Sequence, residues 1–593
     1  MTWIKETMDR RVLPEPLAAL RERVIDHLEI IYPDEDAPRL ASRCLDLMQY
    51  QERLRAPEGH RNAWTQADAV IICYGDSITG EGQAPLRTLY QALERWTESL
   101  FSIVHLLPFF PYSSDDGFSV IHYRQVNESL GDWDDIGRFA NRYRVMGDLV
   151  LNHCSARSQW FLQFMSKDSP GANYFITDES VKDVSKVVRP RSTPLFREVQ
   201  TPEGAQQVWC TFGHDQVDLN YGNPDVLLEM IGIIAFYLDQ GITVFRLDAV
   251  AYLWKMSGTN CVNLPQTHEV VRLFRTLIEH GEREAVLITE TNLPNRENLS
   301  YFGNANEAHW IYNFTLPPLV LHAVTFGKAA FLNQWMMGMP PARDGTAYLN
   351  FVSSHDGIGL RPAEGILPES ELEHLVTLMK TRGGLISVRE LDGDVVPYEL
   401  NISLFSACAT DDDNGQLQVS KFLLVHALMF GLEGVPAVYF PSLFATPNAT
   451  YRVSATGHNR AINRPQWTEK ALDQALKEEP TKLSVLKGLQ QLLSIRREQP
   501  AFHPNATQFT MDAGAAVFAF WRQSRQREQS IFCLHNLTRA EQVIPLSRLN
   551  LIEGESWIDL ITDEAIDAND KFLRLDAYQS RWISNLNASN LAR

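Results

Sequence analysis

The chain contains little cysteine for its length: seven residues in 593, none of them in a CxxC pair. A disulfide framework or a thiolate zinc site needs closely spaced or regularly paired cysteines, so the sequence argues against both and predicts buried thiols. Apolar runs are also short. No stretch approaches the about 18 uncharged residues of a membrane helix, and the N-terminus lacks the apolar segment of a secretory signal. These absences predict a cytoplasmic protein without a membrane span or a membrane partner.

Basic residues are the second deficit. Lys and Arg total 54 against 73 Asp and Glu, which gives a formal charge of −19, and no Lys- or Arg-rich run occurs. Nucleic acids bind basic surfaces, so the charge pattern argues against a nucleic-acid partner. An anionic substrate must be bound by a few local arginines against an unfavourable background field. The oligomeric state has no signature in the sequence.

Eight short apolar runs recur along the middle of the chain. Most are separated by amphipathic stretches, which predicts an α/β fold with a closed barrel of eight parallel strands, a TIM (β/α)8 barrel, rather than an open sheet. The predicted strands are Ala69–Cys73, Ser102–Leu107, Gly147–Leu151, Thr243–Leu247, Val286–Thr289, His309–Asn313, Tyr348–Val352 and Gly434–Tyr439.

The chain is longer than such a barrel. Apolar residues at helical spacing precede it, alternating runs typical of an antiparallel sheet follow it, and two gaps between predicted strands are too long for a simple strand–helix unit. Insertions at the carboxyl ends of barrel strands usually shape the substrate pocket. The predicted boundaries are a helical N-terminal extension at 1–61, barrel segments at 62–153, 226–357 and 413–500, insertions at 154–225 and 358–412, and a small C-terminal β domain at 501–593.

Four short segments carry carboxylates, histidines and an arginine at or just after the ends of predicted strands. They are Asp148–His153, Phe245–Asp248, Ile288–Glu290 and Phe351–Asp356. The carboxyl ends of parallel barrel strands meet at one face, where catalytic groups collect. Cleaving a glycosidic bond with retention needs one carboxylate to attack the anomeric carbon and a second group to protonate the leaving oxygen. The sequence therefore predicts a retaining sugar-transfer site.

Asp248 and Glu290 fit this pair. Arg246, two residues before Asp248, carries a fixed positive charge that keeps a nucleophile ionised. Glu290 ends an apolar strand, where burial raises a carboxyl pKa toward the working pH. No acidic calcium loop of helix–loop–helix type occurs, so no metal and no cofactor is predicted. Sugar hydroxyls and an oxocarbenium-like transition state can be bound by His153, His355 and Asp356.

The four segments, in this order, resemble the α-amylase family, glycoside hydrolase family 13. Further motifs resemble its sucrose-phosphorylase subfamily, and these are His105–Pro111, Ser114–Ser119, Leu130–Asp135, Leu316–Leu319, His355–Gly359 and Asn459–Arg464. The resemblance covers roughly residues 64–500. It implies a β/α barrel with inserted B and B′ domains, a small C-terminal β domain and no metal or organic cofactor.

The resemblance also implies roles. A nucleophile, an acid/base and a transition-state stabiliser are implied for Asp248, Glu290 and Asp356 respectively. Arg191 would meet phosphate, to which an arginine offers two parallel, charge-assisted hydrogen bonds, and Tyr398 and Glu399 would serve the acceptor subsite in alternation with it. The implied glucose subsite comprises Asp115, Phe118, His153, Arg246, His355 and Arg460, and the remaining candidate substrate-binding residues are Val188 and Tyr252.

The acceptor loops depart from the sucrose-phosphorylase pattern. Val188 stands where those enzymes have a tyrosine and Glu399 where they have a glutamine, so fructose is disfavoured. The N-terminal extension and the run Pro397–Glu399 resemble instead the glucosylglycerate and glucosylglycerol phosphorylases. No Arg or Lys stands just before Tyr398, so Glu399 is expected to meet an acceptor carboxylate unshielded, at a cost of about 1–4 kcal/mol at about 4 Å. Glycerol is therefore the predicted acceptor.

The resulting prediction is a retaining α-glucoside phosphorylase. It would cleave 2-O-α-D-glucosylglycerol, release glycerol and use inorganic phosphate to form α-D-glucose 1-phosphate. Glucosylglycerate phosphorylase and sucrose phosphorylase stay open as alternatives. A hydrolase or transglucosidase shares the barrel segments but needs no phosphate-binding arginine. A non-catalytic subunit on the same barrel would be expected to lose the carboxylates and to carry a membrane span.

Overall fold

The computed structural model describes residues 15–50, 54, 62–191, 193–281, 284–391, 394–411, 415–549, 551–552 and 556–585. Parts of the N-terminal extension at 1–61 and of the C-terminal domain at 501–593 therefore lie outside the described residues. All seven cysteines are buried free thiols. None of the described helices is both long enough and apolar enough to cross a membrane.

Eight parallel strands close into a barrel in sequence order, which confirms the predicted TIM barrel. Every strand coincides with one of the eight predicted runs. The third begins at Arg144, earlier than predicted, because a charged first residue hides the apolar pattern; its guanidinium reaches the Ala63 carbonyl at 2.9 Å. The strands are β1 Val70–Cys73, β2 Ile103–Leu106, β3 Arg144–Val150, β4 Ile242–Asp248, β5 Val286–Thr289, β6 Trp310–Tyr312, β7 Ala347–Asn350 and β8 Val435–Tyr439.

Helices cover the outside of the barrel and connect the insertions. Their starts follow ordinary helix signals: in Pro224–Asp239 the proline opens the helix, and the Asn223 side chain accepts from the Asp225 N–H at 3.0 Å. The other helices after β1 are Pro85–Thr97, Trp133–Ala140, Gln159–Ser166, Pro265–Gly281, Asn295–Leu299, Leu316–Phe326, Ala330–Gly338, Glu369–Thr381, Leu404–Ala407, Gln416–Gly431, Thr450–Thr456, Glu469–Glu478 and Pro480–Arg497.

Two insertions follow β3 and β7, on the side where the carboxyl ends of the barrel strands open. The first contains two antiparallel pairs, His153–Ser155 with Gln216–Asp218 and Phe196–Thr201 with Gly204–Trp209. The second is an antiparallel sheet in the order Ile358–Gly359, Asp394–Asn401, Leu385–Leu391. Because His153 and Ile358 come within a few residues of their barrel strands, both insertions begin at the barrel mouth. The domain boundaries stated above stay predictions.

An antiparallel β domain follows the barrel, as predicted. It has its own apolar core, which includes Phe532, Trp557 and Ile583. Its larger sheet has the order Thr507–Asp512, Val517–Gln523, Ser530–Asn536, Ser580–Ser584, Trp557–Asp559, Glu564–Ile566, and a second pair joins Gln542–Pro545 to Phe572–Leu575.

Two further helices, Glu15–Ile31 and Ala37–Leu47, precede the barrel and share its main hydrophobic core. Leu28 is 1% exposed. The Tyr32 hydroxyl donates to the Tyr221 carbonyl at 2.8 Å, and its ring lies 5.9 Å from that of Trp254. The described part of the N-terminal extension is thus packed against segments that precede and follow β4.

We expect Leu28→Ala to reduce stability by about 2–5 kcal/mol, because it leaves a cavity where this extension meets the barrel. Ile30→Ala, on the same helix at a position 55% exposed, is the matched control and should stay within about 0.5 kcal/mol of the unmodified protein. Denaturant unfolding of both variants makes the comparison. Equal stability of the two would mean that the extension is not docked in solution.

Candidate active site

The buried guanidinium of Arg246 lies at the floor of a pocket at the carboxyl ends of the barrel strands. It forms ion pairs with the carboxylates of Asp148 and Asp248, the latter at 2.7 Å, and lies 4.0 Å from Glu290 Oε1. Asp148 is the partner of Arg246 in the β3–β4 register, so the strand pairing itself brings this pair together. His105 Nε2, on β2, lies 2.7 Å from the second oxygen of Asp148.

The two carboxyl groups nearest Arg246 differ in their surroundings. Burial raises the pKa of Asp248, and the direct ion pair with Arg246 opposes that rise. Burial raises the pKa of Glu290 to about 7, and the negative charges of Asp248 and Asp356 add to the rise. The Ala249 N–H donates to Glu290 at 2.9 Å. When the pair holds one proton, it therefore resides on Glu290.

Asp356, after β7, is held in the opposite state. Burial acts to raise its pKa, but the Arg460 guanidinium at 2.5 Å, with further cations nearby, holds that pKa well below its ordinary value. Burial lowers the pKa of the neighbouring His355, so its ring is neutral. Both ring nitrogens of His355 are buried without a hydrogen-bond partner, and the ring stacks on Phe118 at 5.1 Å. The two ring nitrogens of His355 are therefore available to bind sugar hydroxyls.

A strained turn closes one end of the pocket. Asp115 and Asp116 both have positive φ, +53° and +45°, and Gly117 follows at +115°. Aspartate tolerates this region better than most residues, and such strain persists where surrounding contacts impose it. Gln216 donates to Asp115 at 3.2 Å, and Arg464 pairs with Asp116 at 2.6 Å. The turn thereby points one carboxylate into the pocket and anchors the next.

The opposite side of the pocket is aromatic and basic. The Arg191 guanidinium carbon lies 6.0 Å from the ring centre of Phe212 and 5.9 Å from that of Tyr398. Tyr252 contacts Phe212 edge to face at 5.5 Å. Among the described residues no carboxylate is ion-paired with Arg191, in contrast to Arg246 and Arg460. An anion can therefore be bound here without displacing a paired carboxylate.

Eleven of the residues expected at the site line this one pocket: Asp115, Phe118, His153, Arg191, Asp248, Tyr252, Glu290, His355, Asp356, Tyr398 and Arg460. Arg246 lies beneath the lining, behind Asp248. Val188 is not among the lining residues, because its backbone N–H is bonded to the Asn260 carbonyl and its side chain packs against the core. A substrate-binding role for Val188 stays a prediction, and the pocket lining does not support it.

The charge of Glu399, expected from the sequence to be unshielded, has a cation beside it. Its carboxylate is 1% exposed and does not line the pocket. Arg460 donates to both of its oxygens, at 3.1 and 2.7 Å, so its charge is compensated. The compensating cation is 61 residues away in sequence, and the residues just before Tyr398 gave no sign of it. The electrostatic argument against an acidic acceptor therefore fails.

Several lining residues were missed from the sequence, including Phe212, Gln216 and Asn292. Asn292 follows Glu290 by two residues, so its position just past the end of a predicted strand was a signal that could have indicated it. Phe212 and Gln216 lie in the first insertion, whose fold decides which side chains face the barrel, so no local pattern indicates them. Arg464 is part of the motif Asn459–Arg464, but the sequence gave it no separate role.

Lys255 lies beside Asn152, which comes shortly after the end of β3. Its ammonium group lies 2.6 Å from Asp218 and 2.6 Å from the Asn152 side-chain oxygen, and it also donates to the Tyr252 carbonyl. In the described part of the chain no cluster of His, Cys, Asp and Glu has the arrangement of a metal site. The Lys255 ammonium group thus links Asn152 after β3, Asp218 in the first insertion and Tyr252 in the pocket wall.

The barrel of this chain is similar to those of known proteins. The family model described as "Alpha amylase, catalytic domain" matches residues 86–356. A solved structure, sucrose 6F-phosphate phosphorylase from Thermoanaerobacter thermosaccharolyticum, shares the fold with a TM-score of 0.70 at 24% identity, over 86% of this chain and 98% of that chain. The chain belongs to the α-amylase family, as the sequence motifs indicated.

Two relatives indicate which members of that family this chain is similar to along nearly its whole length. The chain is 41% identical over 591 residues to the glucosylglycerate phosphorylase of Spirochaeta thermophila, covering 96% of this chain and 99% of the relative. It is 38% identical to that of Allomeiothermus silvanus, covering 95% and 98%. The protein is an enzyme, a glycosyltransferase of the phosphorylase type.

We expect Lys255→Met to destabilise the protein by about 3–5 kcal/mol, because it leaves the buried Asp218 carboxylate without its cation. Lys328→Met is the control: that lysine is 48% exposed and pairs with Glu371 at the surface, so its loss should cost no more than about 1 kcal/mol. Denaturant unfolding compares the two. If both variants unfold alike, Lys255 does not hold these segments together.

Proposed function

We propose that this enzyme is a retaining α-glucoside phosphorylase whose preferred glucoside is glucosylglycerate. One observation carries the choice of an acidic acceptor: Arg460 compensates Glu399, while Arg191 faces the acceptor side of the pocket without a paired carboxylate. The two relatives above, named for glucosylglycerate, support the same choice. Glycerol, expected from the sequence, loses its physical argument once Glu399 is compensated.

In the first step Asp248 attacks the anomeric carbon of the glucosyl group. The bond from that carbon to the leaving oxygen breaks, and Glu290 gives its proton to that oxygen, so that glycerate departs with a neutral hydroxyl. The pKa of about 7 suits this role, because the group is protonated at neutral pH and gives up its proton readily. Asp248, ion-paired with Arg246, supplies the electron pair.

In the second step phosphate takes the acceptor's place. One phosphate oxygen attacks the anomeric carbon, the ester bond to Asp248 breaks, and Glu290 accepts the proton that the attacking oxygen carries. The products are α-glucose 1-phosphate and the regenerated carboxylate. Asp356, kept ionised by Arg460, stabilises the positive charge that develops on the sugar ring in both transition states.

Arg191 distinguishes this proposal from a plain hydrolase or transglucosidase. Water needs no anion site, whereas phosphate in a chain of formal charge −19 needs a local cation. Its position between Phe212 and Tyr398 leaves the guanidinium edge available for two parallel hydrogen bonds to an oxyanion. The same contact can serve the carboxylate of glycerate before phosphate enters.

The rate of α-glucoside cleavage should fall about tenfold per pH unit above pH 7, because the protonated fraction of Glu290 then falls by that factor. Glu290→Gln should abolish this alkaline limb and slow cleavage by about 10²–10⁴-fold. Glu433→Gln is the control: burial raises the pKa of Glu433 to about 7 as well, but Glu433 lies outside the pocket, so the limb should persist. Persistence of the limb in Glu290→Gln would remove Glu290 as the acid.

The acceptor is tested by supplying glucose 1-phosphate with glycerate, glycerol, fructose or fructose 6-phosphate and measuring phosphate release. We expect glycerate to react fastest, by about tenfold or more over glycerol, since one charge-assisted hydrogen bond contributes about 1.5–3 kcal/mol. Asp248→Asn, which lacks the nucleophile, supplies the blank. Faster reaction with glycerol or fructose would refute the glycerate assignment, and free glucose as the main product would favour a hydrolase.

A further inference from the structure

The Asn292 side chain has one polar atom with a hydrogen-bond partner and one without. Its side-chain nitrogen donates to the Tyr398 hydroxyl at 3.3 Å, whereas its side-chain oxygen is buried without a hydrogen-bond partner. The residue lines the pocket two positions after Glu290. Leaving a buried acceptor unpaired is costly, so such an atom beside a binding pocket is suited to pair with a ligand hydroxyl.

The hydrogen bond from Asn292 decides what Tyr398 can do. A phenolic oxygen has one proton to donate, and because it accepts from Asn292, that proton is left for another partner. Burial raises the pKa of Tyr398 well above its ordinary value, so the hydroxyl keeps the proton. Arg191 lies over the same ring, 5.9 Å from its centre. Tyr398 and Arg191 thus offer donors on the same side of the pocket.

Gly359 provides the space that Asn292 occupies. A Cβ atom at Gly359 would lie 2.7 Å from the Asn292 side-chain oxygen and 3.0 Å from its nitrogen, so the Asn292 side chain would have to shift. The strand Ile358–Gly359 pairs with the strand that carries Tyr398 and Glu399. The second insertion therefore fixes both ends of the Asn292–Tyr398 contact, and Gly359 acts as a positioning residue.

We propose that Asn292 selects an acceptor that carries both a hydroxyl and an anionic group. Its side-chain oxygen accepts a hydrogen bond from the acceptor hydroxyl, while its nitrogen orients Tyr398 to donate to the anion beside Arg191. This inference rests on the proposed function, in which a small hydroxy acid and phosphate take turns at this place. A neutral polyol can use only the first of these two contacts.

Asn292→Asp tests the proposal with little change of shape, because it keeps the accepting oxygen and replaces the donor to Tyr398 by a negatively charged oxygen. We expect the ratio of kcat/KM for glycerate to that for glycerol to fall at least tenfold, and the KM for phosphate to rise by a similar factor. Gly359→Ala should shift both quantities in the same direction by displacing Asn292. Rates are measured from glucose 1-phosphate for the acceptors and by phosphorolysis for phosphate.

Gly338→Ala is the matched control, since a Cβ there meets nothing within 4 Å and the residue ends a helix outside the pocket. It should leave both quantities unchanged. Unchanged selectivity and phosphate KM in Asn292→Asp would overturn the proposal, and if that variant does not fold, Gly359→Ala decides by the same criteria. If the unmodified enzyme does not use glycerate at all, the proposed acceptor is wrong, and the KM for phosphate alone then judges the role of Asn292.

Discussion

The buried contact of Arg246 with Asp148 and Asp248 is the interaction on which the site depends. It ties β3 to β4 and puts a fixed positive charge 4.0 Å from Glu290, the residue after β5. Burying these ions costs several kcal/mol each, and the mutual pairing, with the contact of His105 to Asp148, offsets it. Because the guanidinium pairs directly with Asp248 and more distantly with Glu290, the two carboxyl groups acquire different proton affinities. One fixed charge thereby distinguishes the proposed nucleophile, Asp248, from the proposed acid, Glu290.

The pocket is divided by charge. On the side that would hold glucose, Arg460 and Arg464 are each paired with carboxylates, so neutral hydroxyls meet a dense but compensated network. On the acceptor side Arg191 has aromatic neighbours instead. A neutral sugar and an exchanging anion require this division, because an uncompensated arginine beside the glucose would bind phosphate in the wrong place.

The fold and the meeting of three carboxylates in one pocket were predictable because both follow from local pattern and from strand order. Apolar runs fix the strands, and closure of a parallel barrel brings Asp248, Glu290 and Asp356 together without further information. The acceptor side was not predictable in the same way. Val188 packs against the core, and the charge of Glu399 is compensated by Arg460. The side chains of an insertion are oriented by its own packing and by partners far along the chain.

The compensation of Glu399 couples specificity to catalysis. Arg460 is shared: it contacts Asp356 at 2.5 Å and Glu399 at 2.7 Å, and the strand containing Glu399 pairs with Ile358–Gly359, two residues after Asp356. A neutral residue in place of Glu399 would leave Arg460 with Asp356 alone and alter the charge felt at the transition state. Acceptor preference in this chain therefore cannot be changed through Glu399 without affecting Asp356. Asn292, whose side-chain nitrogen donates to Tyr398, is the position at which we propose that selectivity is set.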